Sequence, residues 1–317
     1  MEYINLGNSD LHASNIGLGI MRMNLLSVAE ATTVLETAVD LGINFFDGAD
    51  IYGEGKSDTI FGQALAASGL NRSDIYVQGK VGIVLNKDRS HDGLVFGARY
   101  DFSEDHLVTA AHDELNRMGL DYFDSLLLHR PDPLMEPDQV ARALTTLQTD
   151  GTARHFGVSN QNPYQIELLQ HSLHQRLLIN QLQFSIMHTG MIDAEMHVNM
   201  ADDRSIDHDN GILAYTRLHN MTIQAWSPYQ YGMFEGVFID NPKFPELNQE
   251  LQRVADRYAV TKTTIATAWI LRHPAKIQTI VGSMNPARLK EIALANQVHL
   301  TAQEWYDIYL SAGNDLP

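Results

Sequence analysis

Four side chains that can hold or move protons stand at the ends of short apolar runs. Asp47 closes Asn44-Phe45-Phe46-Asp47, and Tyr52 follows within Gly48-Ala49-Asp50-Ile51-Tyr52-Gly53. Lys80 closes Tyr76-Val77-Gln78-Gly79-Lys80, and His129 closes the very apolar Leu126-Leu127-Leu128. Taken singly, each has a plain structural reading: Asp47 as a turn cap, Tyr52 as a packed aromatic, Lys80 as a solvated charge, His129 as a core-edge imidazole. Taken together they suit carbonyl reduction, which needs a hydride on carbon and a proton on oxygen. A tyrosine titrating near pH ~10 is a poor donor at neutral pH. A neighbouring ammonium lowers that value by favouring the phenolate. Lys80 can supply the charge, Asp47 can hold Lys80 in place and His129 can orient the carbonyl. A strand-end lysine also serves Schiff-base chemistry, so a lyase using Lys80 as nucleophile stays open.

Shared chemistry requires elements that bring these groups to one place. Short apolar runs recur at Ile16–Gly19, Ile43–Phe46, Ile75–Val77, Ser125–Leu128, Ala153–Val158, Leu178–Leu182, Thr222–Trp226 and Ile277–Val281. They are nearly continuous rather than alternating, as strands buried on both faces are. Helix-period stretches lie between them. One runs Val28, Ala31, Leu35, Ala38, Val39 and ends near Gly42; another starts at Ser103 with Glu104 and Asp105 in its first turn. Eight strand–helix units predict an α/β chain closed as a (β/α)8 TIM barrel, with an open doubly wound sheet as the alternative. A β-hairpin over 1–14 and an extra C-terminal helix over 301–313 decorate it. No Pro/Gly/Ser linker divides the sequence, so 1–317 reads as a single barrel domain.

In a barrel, strand tips converge on the C-terminal face where enzymes keep their sites. Three connections opening there are too long for simple turns: 81–102, 183–208 and 227–245. They carry Leu94, Val95, Phe96 and Tyr100; Ile186, Met187, Met191 and Ile192; and Tyr229, Tyr231, Met233, Phe234 and Phe238. Such loops suit a carbonyl substrate of mixed shape, although each side chain can equally just bury its own loop. The Met200–Asp203 stretch is also open to contact with another subunit.

The bulk numbers narrow the partners. With 22 basic and 39 acidic residues the formal charge is −17, a field that repels nucleic acid and anionic membrane. No run of about 18 apolar residues suggests a membrane span. There are no cysteines, so neither disulfides nor thiolate metal sites can form. No ligand spacing suggests a catalytic metal. Asp202-Asp203 and His208-Asp209 read as solvated surface. The start of the chain lacks the pattern of a secretion signal, and a cytoplasmic setting is the expectation.

An ordered series of motifs resembles the aldo-keto reductases. It runs from Phe46-Asp47-Gly48-Ala49-Asp50-Ile51-Tyr52-Gly53 and Lys80 through Leu128-His129-Arg130-Pro131-Asp132 and Phe156-Gly157-Val158-Ser159-Asn160. It continues with Asn180-Gln181-Leu182-Gln183, Ala225-Trp226-Ser227-Pro228 and Val281-Gly282-Ser283 with Arg288. The closing stretch from Leu300 to Pro317 resembles a bacterial subgroup of poorly assigned oxidoreductases. The resemblance implies an NAD(P)H-dependent reductase with Asp47, Tyr52, Lys80 and His129 as catalytic tetrad. It implies Ser159, Asn160 and Gln181 on the nicotinamide carboxamide, and Trp226, leading into Ser227 and Pro228, against the nicotinamide face. It adds Met21, Arg22, Gly282 and Ser283 to the cofactor positions, Arg288 to an adenosine 2′-phosphate and Glu291 to the adenine. The helix beginning at Pro286 offers N–H groups to an anion. Arg288 makes NADPH the preferred cofactor, while Met284 and Ile292 depart from the family pattern, so NADH stays possible. The same scaffold also occurs as an accessory protein that binds NADPH with little turnover, and that reading stays open. The absence of Gly-x-Gly-x-x-Gly after the first strand excludes a Rossmann manner of holding the dinucleotide.

Overall fold

The computed structural model describes residues 1–91, 94–232 and 235–317, with side chains described outside 87–96. The chain opens with an antiparallel hairpin, β1 (Tyr3–Asn5) and β2 (His12–Ser14), paired Tyr3 to Ser14. Then come β3 (Ile16–Gly19), α1 (Val28–Asp40), β4 (Phe45–Asp47), α2 (Lys56–Ser68) and β5 (Tyr76–Val81). β6 (Ile83–His91), β7 (Leu94–Tyr100), α3 (Glu104–Met118), β8 (Phe123–Leu128), α4 (Pro137–Thr149), β9 (Ala153–Ser159) and α5 (Pro163–Ser172) follow. The remainder is β10 (Leu177–Gln183), α6 (Gly190–Met196), α7 (Ile212–Leu218), β11 (Thr222–Trp226), α8 (Pro245–Tyr258), α9 (Lys262–Leu271), β12 (Gln278–Val281), α10 (Pro286–Ala293) and α11 (Ala302–Ser311).

Eight parallel strands close in the order β10-β11-β12-β3-β4-β5-β8-β9. Every one of the eight apolar runs in the sequence supplies one of them. The ends differ by one to four residues because the polar strand tips Asp47, Lys80, Ser159 and Gln183 also belong to the strands. The helices start where local chemistry says they should. Ser27 and Glu30 form a capping box on α1, and Ser103 accepts from His106 N at the start of α3. Gly119 ends α3 in the left-handed region at φ 65°.

The core is mainly a shell between strands and helices, where Leu35, Phe61, Leu115, Leu144, Leu169 and Trp269 are buried. The barrel interior holds an apolar cluster of Leu6, Phe45, Leu127, Ile179 and Ile280, but it is polar above that layer. It carries Gln78, Ser125, Gln181, Gln224 and Gln278, all buried. α11 is fastened by Trp305, which stacks on Trp269 at 4.7 Å and 7°. Each indole N–H also donates to the other residue's carbonyl, at 3.0 and 3.1 Å.

Two of the long connections carry elements the sequence did not reveal. The 81–102 stretch is largely the antiparallel pair β6/β7. The 183–208 stretch contains α6 and binds the chain's end. Asp193 accepts from Tyr309 Oη at 2.6 Å and Arg204 Nη1 at 3.0 Å, and Arg204 also reaches Gly313 O and Asn314. The polar run in this connection is not merely solvated. Asp202 accepts from Arg204 N and Ser205 N, and Asp209 accepts from Gly211 N and Ile212 N, so both carboxylates shape turns. No helix among the described residues is long and apolar enough to cross a membrane.

Candidate functional site

The β4, β5 and β8 tips are tied by main-chain bonds that continue past the strands. Gly48 N donates to Gln78 O, Asp50 N to Lys80 O, and His129 N to Val81 O. Asp47, Lys80 and His129 therefore lie side by side at one end of the barrel. Tyr52 arrives through a tight turn in which Gly53, Glu54 and Gly55 all have positive φ. Gly55 is required there. A Cβ on it would sit 2.5 Å from Arg117 Nε.

Lys80 is fully buried, which desolvates its ammonium. Its Nζ donates to Asp47 Oδ1 and to Gly48 O, both at 2.6 Å. It also lies 5.1 Å from the Tyr52 ring centroid, and Tyr52 meets His129 edge to face at 5.9 Å. Burial pulls the Lys80 ammonium down, but Asp47 and Tyr52 together leave it above the ordinary lysine value. Burial pushes the Tyr52 hydroxyl above its ordinary value, with Lys80 only partly pulling it back and Asp47 adding to the rise. This differs from the lowered tyrosine expected from the sequence. The reason for the difference is burial, which outweighs the pull of Lys80, while the Asp47 charge adds to the rise. Burial, then Lys80 and Arg130, hold His129 well below the usual histidine range, so its imidazole is neutral. His129 Nδ1 is shielded and without a hydrogen-bond partner.

Asp47 is also held from below. Its Oδ1 accepts from Gln78 Nε2 at 2.6 Å and Gln181 Nε2 at 3.0 Å. Both amides donate in turn to Gln224 Oε1, Gln224 donates to Gln278 Oε1 and Gln278 to Ser14 O. This amide chain crossing the interior was absent from the sequence reading. A signal existed: Gln78 and Lys80, like Gln224 and Trp226, are two apart on one strand and share a face. Gln181 consequently has its amide nitrogen committed to Asp47 and Gln224, which leaves Oε1 as its free end.

The opposite wall comes from β9, β10 and β11. Ser159 Oγ donates to Gln181 O and accepts from Asn160 Nδ2 at 2.7 Å; Asn160 Oδ1 accepts from Trp226 Nε1 at 3.2 Å. Asn160 and Ser227, just beyond their strands, hold φ of 55° and 51°. Such left-handed non-glycine residues persist where the surroundings impose them. Pro228 is buried beside them.

At the far end, Arg22 Nη1 donates to Gly282 O at 3.2 Å, bringing those two predicted positions together, and Met21 O accepts from Ser57. A cavity of about 520 Å³ is lined by Arg288, Glu291, Asn285, Lys262, Asp240 and Thr261, among others. It lies beyond Ser283 and away from Lys80. Asn285 caps α10 by accepting from Ala287 N and Arg288 N. Those two N–H groups, expected to be open to an anion, are thus already taken. Of the loop residues singled out in the sequence, Ile186 and Phe238 are buried and Tyr100 is exposed. Met233, Phe234 and the side chains of Leu94, Val95 and Phe96 lie outside the described residues.

Behind the tips, α2 and α3 hold a second group that the sequence reading missed. Arg117 bonds Asp58 at 2.9 Å and the Asp50 main-chain O at 3.0 Å. Glu114 is fully buried, and neither of its oxygens has a hydrogen-bond partner. Burial, then Asp58 and Asp50, push Glu114 well above the usual carboxyl range. Burial, against the pull of Arg117, pushes Asp50 and Asp58 up to about 7.

A family model described as the aldo/keto reductase family matches residues 15–309. Similar proteins include a 6-dehydroglucose reductase of Agrobacterium fabrum, 33% identical over 90% of this chain and 89% of that one. The oxidoreductase YcsN of Bacillus subtilis is 34% identical over the whole of both chains. A putative voltage-gated potassium channel subunit beta of Schizosaccharomyces pombe is 27% identical over 90% of this chain and 85% of its own. Among solved structures, a Bombyx mori aldo-keto reductase in complex with NADP superposes with a TM-score of 0.72. It is 21% identical and covers 98% of this chain and 92% of its own.

Proposed function

The chain belongs to the aldo/keto reductase family of carbonyl-reducing oxidoreductases, and from that premise we propose that it reduces an aldehyde or ketone with NADPH, using Tyr52 as proton donor. The observation that carries the reading is the buried Lys80, bonded to Asp47 and lying against Tyr52, with neutral His129 at the ring edge. NADPH, when bound, supplies the hydride.

The chain's own residues do the rest. Tyr52, kept protonated by burial, gives its Oη proton to the carbonyl oxygen. Lys80, fixed and charged, stabilises the phenolate left behind. Asp47 keeps the ammonium charged, and His129 orients the carbonyl by hydrogen bonding. Trp226 offers a flat face, and Ser159, Asn160 and the free Oε1 of Gln181 offer polar contacts suited to a carboxamide. The donor set at the far end fits an adenosine phosphate: among the described residues Arg288 has no carboxylate partner, and it lines the cavity with Asn285 and Glu291. Met21, Arg22, Gly282 and Ser283 complete the proposed cofactor positions, with Arg22 bonded to Gly282 O. The reading treats residues 1–317 as one functional unit.

A Schiff-base role would need Lys80 neutral and free to attack. Its bonds to Asp47 and Gly48 O oppose both. The test is cofactor oxidation across aldehydes, ketones and dicarbonyls, with NADPH and NADH affinities measured beside it. Turnover with a tighter NADPH complex is expected. Cofactor binding without turnover of any carbonyl would favour an accessory role, and a tighter NADH complex would reverse the cofactor preference.

A further inference from the structure

Among the described arginines, Arg130 occupies an unusual place. The others largely hold a carboxylate, as Arg72, Arg99, Arg117, Arg142, Arg154, Arg204, Arg253 and Arg257 do. Arg22, Arg176 and Arg272 hold main-chain carbonyls. Arg217 is without either partner but is exposed. Arg288 lines the cavity at the far end. Arg130 is half-buried and has neither kind of partner. Its contact is with Trp226, whose ring centroid lies 5.6 Å from the guanidinium carbon.

The acids that could neutralise it are turned elsewhere. Asp132, two residues on, accepts from Phe102 N at 3.1 Å and Leu134 N at 2.9 Å. Asp47 is taken by Lys80, Gln78 and Gln181. Half-burying a guanidinium without a counter-charge is costly, and a bound anion removes that cost. The placement is selective too. Arg130 directly follows His129 and reaches across to Trp226, so its head spans the candidate site from the β8 tip to the β11 tip. In a chain of formal charge −17, an unpaired cation at that mouth is where an anionic small molecule escapes the overall repulsion.

We propose that Arg130 is a specificity-determining residue that receives an oxyanion on the substrate, so that this reductase favours carbonyl compounds that also carry a carboxylate or phosphate. The inference rests on the reductase reading above and names the substrate class for that same site. Planar bidentate pairing suits arginine to either group, and the two sources are separated by the probes used.

The experiment compares kcat/KM for 4-carboxybenzaldehyde and 4-formylphenyl phosphate with that for uncharged benzaldehyde, using NADPH. At least one charged aldehyde should be preferred by roughly tenfold or more, and the better one identifies the oxyanion. Arg130→Gln should bring the ratio close to one, and Arg130→Lys should keep part of it. No preference in the wild-type protein overturns the subsite without any variant, as does a preference that survives Arg130→Gln. If Arg130→Gln instead weakens NADPH binding and leaves the ratio unchanged, Arg130 serves the cofactor and the proposal is wrong. Failure to turn over any aldehyde removes the reductase reading and the subsite together, whereas turnover without preference removes the subsite alone.

Discussion

At the scale of single residues, the site works by burying a charge and meeting its needs. Lys80 has no exposure and two oxygen partners at 2.6 Å. Replacing it by methionine leaves Asp47 as an unpaired buried acid, a change that typically costs about 3–5 kcal/mol. Denaturant unfolding of Lys80→Met should show that loss, and stability near wild type would mean the pair is better solvated than it looks. The titration directions set an activity profile as well. Tyr52 is raised and His129 is well below its usual range, so neither changes charge near neutrality. The reduction rate should stay flat from about pH 6.5 to about pH 10, falling only as the phenol ionises. A steep limb near pH 7 in kcat/KM would contradict this assignment. The same neutral His129 affects stability. Its folded value lies below its unfolded one, so its full contribution is present above about pH 6.5 and fades as the pH falls.

At the scale of elements, α2 and α3 show how closely the shell is fitted. A Cβ on Gly62 would lie 1.9 Å from the Met118 main-chain oxygen. Gly62→Ala must therefore push the two helices apart, and a loss of at least about 3 kcal/mol is expected from thermal unfolding. Glu114, on α3 with its carboxyl against Gly48 and Gly79, gives a prediction of opposite sign. Its folded carboxyl titrates above its unfolded value, so its contribution is complete below about pH 4.5 and is lost as pH rises. Glu114→Gln should raise Tm by about 2–4 °C at pH 8 and by less at pH 5. A drop in Tm at pH 8 would show that the carboxyl has a partner after all. These elements also mark what sequence can and cannot say. Continuous runs such as Leu126–Leu128 announced strands because two-sided burial leaves a composition signal, and Asp47, Lys80 and His129 were visible as polar ends to such runs. Gln78, Gln224 and Gln278 were harder to see, because polar residues in a strand ordinarily face water and only barrel closure turns them inward. β6/β7 were missed because their short apolar stretches, Ile83–Leu85 and Leu94–Phe96, are separated by the polar run Asn86–Gly93 and read as loop. Glu114 was hidden on a helix face where an acid usually meets solvent.

At the scale of the whole molecule, the barrel gathers strand tips distant in sequence into one end, and its interior amides brace Asp47 from Ser14 upward. In the proposed complex, Arg22, Arg130 and Arg288 are the cations that would meet an anionic cofactor and substrate. Removing the Arg288 charge should cost NADPH affinity by about 10–100-fold and leave NADH nearly unchanged, since one charge-assisted contact is worth that much. Equal losses for both dinucleotides, measured by calorimetry, would move the 2′-phosphate site away from Arg288. The central claim is that half-buried Tyr52, beside Lys80 and His129, gives up the proton that completes carbonyl reduction. Its most direct test is the turnover of a reducible aldehyde by Tyr52→Phe, with NADPH affinity measured on the same sample. The account predicts a kcat lower by about 10²–10⁴-fold with cofactor affinity essentially unchanged. Near-normal turnover in that variant would contradict it.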